Sequence, residues 1–173
     1  CPIKRNPRSE AGMERLHRAV LGNSRLGCGI VGMRLGVCTA DCRPGQLVNL
    51  ELEWFFLRRP ISVCDWKDGV LTLAYKVVGD ATAAITKPTE GTDVDTLLGL
   101  ANGFDTDVPC RKALLVGGGI GLAPLFRLTG ELVSRGVEVT VVAGFRTASE
   151  IFLESEFAGA GANFIVATED GSR

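Results

Sequence analysis

The sequence predicts a β-barrel followed by an α/β unit, and two observations carry that reading. From Val31 to Gly79, short apolar–polar alternations are broken by Gly, Pro, Asp and Asn at close intervals, the pattern of half-buried antiparallel strands. From Ala113 onward the rhythm becomes strand, helix, strand, helix, strand, which implies parallel pairing through right-handed crossovers. The charged, turn-rich run GFDTDVPCRK, residues 103–112, lies between them. It places a barrel over residues 1–107 and a nucleotide-binding-type unit over residues 108–173.

In chain order, VGMRLGV (31–37), QLVNLELEW (46–54), ISVCDW (61–66) and GVLTLAYKVVG (69–79) read as strands. Leu71, Leu73, Tyr75 and Val77 share one face of the last. DATAAITK (80–87) reads as a short helix. In the second half, ALLV (113–116) is a short aliphatic strand, and LAPLFRLTGELVSRG (122–136) is a helix ending on Gly136. VEVTVVAGF (137–145) is a buried strand, SEIFLESEFAGAG (149–161) a second helix and NFIVAT (163–168) a third strand.

Composition excludes several classes. A net charge of −1 offers no basic face for nucleic acid, and no apolar run reaches membrane-spanning length. The N-terminal residues lack the apolar core of a secretory signal, so a cytoplasmic protein is expected. Met13 is a candidate start, which would make the residues before it a tag remnant. Cys28, Cys38 and Cys42 stand ten and four positions apart, while Cys1, Cys64 and Cys110 are isolated. With no Cys-x-x-Cys pair and His17 the single histidine, no metal ligands are assigned, and the cysteines read as reduced, small buried hydrophobes.

The densest signal is ALLVGGGIGLAP (113–124), which sets Gly117, Gly118, Gly119 and Gly121 behind an aliphatic strand and ends on Pro124. Glycine loses the most conformational entropy on folding, so such crowding calls for a reason. Bare backbone N–H groups at a strand-to-helix turn favour an anion such as a pyrophosphate, although many such turns need glycine for geometry alone. The full dinucleotide fingerprint is not present, because Pro124 stands near the third glycine position and no acidic residue closes the second strand.

A second candidate lies in the barrel half. FLRRPIS carries Arg58, read as a solvated charge, and Arg59, a guanidinium beside a proline-fixed turn. AYKVVGDAT runs through Lys76 and Gly79 to Thr82, either a second anion-ready helix start or simply a capping residue. Glu154 and Glu156, two apart on a helix, read as a solvated face.

Taken together, a barrel with Arg-x-aliphatic-Ser, a Gly-x-x-Thr helix start and Gly-x-Gly-x-Ala-Pro opening an α/β unit resembles the ferredoxin–NAD(P) reductase superfamily. Within it, LRRPIS, YKVVGDAT, GLANGF, LLVGGGIGLAPL, GFRTASEIFLESEF and VATEDGS resemble the electron-transfer subunits of B-type dihydroorotate dehydrogenases. The likeness runs from Val20 to the C-terminus. It implies an antiparallel Greek-key FAD-binding barrel followed by a parallel-sheet NAD-binding unit. Arg59, Pro60, Ile61 and Ser62 would line the flavin and its phosphates, Ala74, Tyr75 and Lys76 the second strand of the pocket. Gly79, Ala81 and Thr82 would hold the pyrophosphate, and Gly117, Gly118, Gly119, Gly121 and Pro124 a nicotinamide dinucleotide.

NADH is expected from the resemblance, while Arg146 offers a cation for a 2′-phosphate. No acid–base residue is required, since hydride and electrons pass through the cofactors. Three departures stand out: the superfamily usually has tyrosine at Ile61, and the family often has arginine at Lys76 and glycine at Ala81.

The resemblance further implies a partner, an FMN-containing catalytic subunit that oxidises dihydroorotate in pyrimidine biosynthesis. It also implies more strands and a four-cysteine [2Fe–2S] segment after Arg173, so the chain is expected to be a fragment with an exposed edge strand. Two other readings stay open: the small subunit of a different NAD(P)H-dependent flavin or ferredoxin oxidoreductase, and a non-catalytic module on the same scaffold.

Overall fold

In a computed structural model that describes residues 14–36, 42–53 and 55–173, both parts form as expected. Six antiparallel strands close a barrel in the order β1-β2-β5-β4-β3-β6, and three strands make a sheet in the order β7-β8-β9, paired in parallel. The barrel strands are β1 (Glu14–Gly27), β2 (Ile30–Gly36), β3 (Leu47–Leu50), β4 (Arg59–Lys67), β5 (Val70–Lys76) and β6 (Asp93–Leu100). Helix α1 (Asp80–Ile85) leads from β5 towards β6, and its Ile85 is fully buried in the barrel core.

Two barrel strands have no counterpart in the sequence reading. Half of the fourteen residues of strand β1 are polar, and among its described side chains Val20 alone is deeply buried. It is held by pairing instead: residues 14–19 ladder with β6 and residues 20–27 with β2, with a register shift beside Gly22. Gly22 has φ +144°, and an added Cβ would lie 3.2 Å from the Arg34 guanidinium. A bulge at that point lets one strand serve two neighbours and close the barrel. Strand β6 does alternate, with Val94, Thr96 and Leu98 inward, but its inner face carries a hydroxyl. Thr96 is fully buried because its Oγ1 donates to the Leu16 carbonyl at 2.8 Å.

The strand expected over residues 46–54 is shorter, ending at Leu50, and Trp54 lies outside the described residues. Gln46 is buried as a brace: its Oε1 accepts from Arg43 N–H at 2.8 Å and its Nε2 donates to the Ala101 carbonyl at 3.0 Å. The NGF run packs on this brace. Gly103, at φ +69°, has no room for a Cβ against Arg43 and the Pro44 carbonyl, and Phe104 N–H donates to that same carbonyl at 2.7 Å.

Arg58 corrects the solvated-charge reading. Its side chain is only 20% exposed and pairs with Glu51 and, at 3.0 Å, with Asp95 Oδ1. Arg15 donates to the other Asp95 oxygen at 2.6 Å. Two guanidiniums therefore converge on one carboxylate where β1, β6 and the lead-in to β4 meet.

The parallel sheet comprises β7 (Lys112–Gly118), β8 (Glu138–Phe145) and β9 (Asn163–Thr168), with α2 (Ala123–Ser134) and α3 (Glu154–Gly159) on one face. Pro124 falls in the first turn of α2, where its missing N–H costs nothing, and Gly136 ends the helix at φ +80°. The single helix expected over 149–161 is broken instead. A short 3-10 turn (Ala148–Glu150) is followed by Leu153 at φ +60°, and only then by α3. The break seats Phe152 and Phe157 in the core, where Phe157 stacks on Phe164 at 5.2 Å and meets Phe126 edge-on at 5.3 Å. Glu154 is not merely solvated, since Arg173 forks onto it at 2.6 and 2.9 Å. The opposite face of the sheet exposes Leu114 (66%), Val116 (69%) and Ile165 (46%), and β7 and β9 are its edges.

Asp95 gives the fold an acid limb. The Arg15 hydrogen bond, outweighing partial burial, holds its carboxyl below the usual range. A group depressed in the folded state stabilises fully above its unfolded value, about 3.9, and that contribution is lost as pH falls through the lower folded value. Asp95→Asn should cost about 2 kcal/mol at pH 7, because hydrogen bonds to charged groups contribute about 1.5–3 kcal/mol. Urea titrations at pH 7, 5 and 3 should show the gap between variant and parent narrowing at pH 3; a pH-independent gap would count against this account.

Candidate functional site

The glycine turn divides its labour. At Gly117 a Cβ would lie 3.0 Å from Leu125 Cδ1 and 3.1 Å from Leu122 Cδ2, so glycine there lets the start of α2 settle on β7. Gly119 has φ +49°, a left-handed turn that side chains resist. Neither reason applies to the other two. A Cβ on Gly121 would meet nothing within 4 Å, and one on Gly118 only an ordinary contact at 3.9 Å with Gly144 O. Gly144, paired with Gly118 across β7 and β8, is equally open. Bare backbone is thus presented to open space at the carboxyl ends of two parallel strands, beside a helix start, where a phosphate-bearing ligand is accommodated in such sheets.

On the barrel side the side chains alternate. Ile61 and Tyr75 point into the barrel core, where burial pushes the Tyr75 phenol up to about 12. What these two offer an external ligand is main chain. Cys64 and Ala74 point the other way, onto Ala123 at the start of α2, and Ile120 of the glycine turn packs against them. Half-buried Ser62 stands on β4 beside this contact, its hydroxyl without a protein partner among the described residues.

Arg59 opens β4 with no carboxylate partner among the described residues; its guanidinium lies over the Phe55 ring at 5.5 Å. Beside the fully committed Arg58, it is the cation left available for an anion. At the α1 start, Thr82 Oγ1 accepts from Val78 N–H at 2.9 Å and Gly79 N–H at 3.1 Å, and donates to the Gly79 carbonyl. The capping reading therefore holds for the hydroxyl itself. The amides of Asp80, Ala81 and Thr82 precede the first helical bond, made by Ala83 N–H to Gly79 O, and a Cβ on Gly79 would meet open space.

Two residues to which the sequence reading assigned no role, Arg127 and Glu150, join the two parts. Arg127 of α2 lies over the Trp66 ring at 4.2 Å and donates to the Trp66 carbonyl at 3.0 Å, near Asp65. Glu150, in the turn after β8, pairs with Lys76 at 3.0 Å. Cys64 sits between them, its thiol pushed by burial up to about 12 and so kept protonated. An Arg on a helix and a Glu in a polar loop carry no local mark of such roles. Cys28 and Cys110 are exposed, against the buried-hydrophobe reading; Cys42 and Cys64 fit it, and Cys1 and Cys38 lie outside the described residues.

The donor set suits a dinucleotide carrying phosphates: one unpaired guanidinium, free amides at α1, and an open glycine turn facing the outer side of β4 and β5. Among the described residues no three His, Cys, Asp or Glu side chains converge to hold a metal.

No family model matches the chain. Over 143 residues it is 44% identical to the dihydroorotate dehydrogenase B (NAD(+)) electron transfer subunit of Listeria monocytogenes serotype 4a, covering 79% of this chain and 56% of that protein. The subunit of the same name from Bacillus caldolyticus is 43% identical over 137 residues, covering 75% and 53%. The chain thus spans little more than half the length of these curated relatives.

Among solved structures, an NADH-dependent reduced ferredoxin–NADP oxidoreductase superposes with a TM-score of 0.77 at 27% identity, over 86% of this chain and 55% of that one. Phthalate dioxygenase reductase, described as modular for electron transfer from pyridine nucleotides to [2Fe–2S], shares the fold at TM-score 0.75 and 19% identity, over 94% and 54%.

The glycines separate in an experiment. Gly117→Val should destabilise by about 1–3 kcal/mol through overpacking, whereas Gly121→Val should leave the melting temperature unchanged and abolish binding of a nicotinamide dinucleotide. Calorimetry and nucleotide titration of both variants read this out. Unimpaired nucleotide binding by Gly121→Val would refute the division.

Proposed function

Since this chain is homologous to the electron-transfer subunits of dihydroorotate dehydrogenase B and shares the fold of ferredoxin-reductase-like flavoproteins, we propose that it is the flavin- and NAD-binding part of such a subunit. It would pass electrons between NAD(H) and an FMN-containing subunit that oxidises dihydroorotate, in the cytoplasm. The observation that carries the reading is the bare backbone at Gly118, Gly121 and Gly144, set against the outward face of β4 and β5. Residues 1–107 would carry FAD, and residues 108–173 the nicotinamide dinucleotide.

In this assignment Arg59 anchors the flavin phosphates, Pro60 fixes the approach of its strand, and the Ser62 hydroxyl lies at the flavin edge. The amides at Ala81 and Thr82, with the open backbone of Gly79, receive the pyrophosphate. Flavin chemistry, hydride acceptance followed by single-electron release, is supplied by the cofactor when bound. The chain supplies position and the exclusion of water, for which the apolar contact of Cys64, Ala74 and Ala123 provides a dry wall. The [2Fe–2S] cluster of the full assembly would need ligands from outside the described residues.

A second reading, a reductase subunit serving another acceptor, draws on the 27% identity to the ferredoxin–NADP oxidoreductase and on exposed Arg146 at the end of β8. There a cation suits a 2′-phosphate better than the acidic residue that usually reads an unmodified ribose. Stopped-flow reduction of bound flavin by NADH and by NADPH tests the role of Arg146: faster reduction by NADH is expected, and faster reduction by NADPH would assign Arg146 to a 2′-phosphate.

The visible spectrum of the purified protein with added FAD is the primary test. A protein that stays colourless would mean a non-catalytic module. In a flavin-binding protein, Arg59→Ala should weaken FAD about 10- to 150-fold, the equivalent of one charged hydrogen-bond partner at about 1.5–3 kcal/mol. FAD retention on gel filtration measures it, and equal retention in both proteins would remove Arg59 from the site.

A further inference from the structure

The barrel and the parallel sheet are tied towards both ends of the paired strands β4 and β5, and the two ties differ in kind. At one end Arg127 combines a cation–π contact at 4.2 Å with a hydrogen bond to the Trp66 backbone. At the other end the polar tie is one ion pair, Lys76 Nζ to Glu150 Oε1 at 3.0 Å, with the two side chains 34% and 20% exposed. Lys76 closes β5 three residues before Gly79, on the outward face that it shares with Ala74. Glu150 belongs to the turn that follows β8, four residues after Arg146, whose backbone and charge also favour the ionised carboxylate. The following residues lie against the barrel: a Cβ on Gly27 would sit 3.3 Å from Phe152 Cβ and 3.7 Å from Ile151 O.

Resting on the flavin assignment above, we propose that Glu150 competes with the FAD pyrophosphate for Lys76, so that the pair is a latch which flavin binding opens. The ammonium of Lys76 is held by a carboxylate of the other part. A pyrophosphate at the α1 start carries the charge that can take it over, and Glu150 is then left to Arg146. The latch end of the interface loosens while the Arg127 end, which has no such competitor, stays closed. Glu150 is thus a positioning residue that sets flavin affinity through Lys76.

The effect has a sign that a merely structural ion pair would not produce. Removing the carboxylate should tighten FAD, by about two- to fivefold for a pair this exposed. FAD dissociation constants are measured by flavin fluorescence quenching for the parent, Glu150→Gln, Glu150→Asp, Lys76→Met and Lys76→Met/Glu150→Gln. Glu150→Gln should bind FAD more tightly, Glu150→Asp should move the same way, and Lys76→Met should bind more weakly. Glu150→Gln should have no effect in the Lys76→Met background.

Riboflavin, which lacks phosphates, should not distinguish Glu150→Gln from the parent. Independently of affinity, hydrogen exchange in residues 147–152 of flavin-free Glu150→Gln should quicken to the rate of the FAD-loaded parent. If the parent binds FAD and Glu150→Gln binds it equally or more weakly, the latch is wrong and the flavin assignment stands. If the parent binds no FAD at all, both fall together.

Discussion

The seat of α2 is the constraint on which the rest of the molecule depends. This helix is the crossover between β7 and β8 and also the element that packs on the barrel, so its position sets both parts at once. Its approach to β7 is set by the first glycine of the turn, where a Cβ would press on Leu125 and Leu122 at 3.0 and 3.1 Å. With the helix seated, Ala123 reaches Cys64 and Ala74, and Arg127 reaches Trp66. Small residues on both sides make that contact close and dry, which leaves the open glycines facing the outward side of the two barrel strands.

Charge is distributed to match. Arg58, Arg15, Glu51 and Asp95 satisfy one another around the barrel seam and have little left for a ligand. Arg59, adjacent in sequence to Arg58, has no carboxylate partner among the described residues and lies over the Phe55 ring. Lys76 lies between these cases, paired, but with a partner carried by the other part of the molecule. One strand lip thus separates structural cations from those free for an anion, and the alternation of side chains along a strand is enough to do it.

The parallel sheet has a covered face and an open one. Parallel sheets are ordinarily covered on both faces, yet Leu114, Val116 and Ile165 stand exposed. The chain spans little more than half the length of the curated relatives it matches.

Local pattern was enough for the division into an antiparallel and a parallel part. Alternation marked β2, β4 and β5; glycine, proline and a buried aliphatic run marked the β7–α2 unit; and the change of rhythm after residue 103 marked where barrel gives way to sheet. The candidate cradle at Gly79 and Gly117–Gly121 was legible for the same reason, since glycine is costly and its crowding is visible without coordinates.

Only the tertiary structure decided what depends on partners distant in sequence. Strand β1 exists because β2 and β6 pair with it, and buried Thr96 is tolerated because the Leu16 carbonyl, eighty positions away, accepts its hydroxyl. The different fates of Arg58 and Arg59, the inward turn of Ile61 and Tyr75, and the pairing of Lys76 with Glu150 were likewise settled by folding. Periodicity reports which face a residue takes, but a charge or hydroxyl is assigned its role by whatever the folded chain brings opposite it.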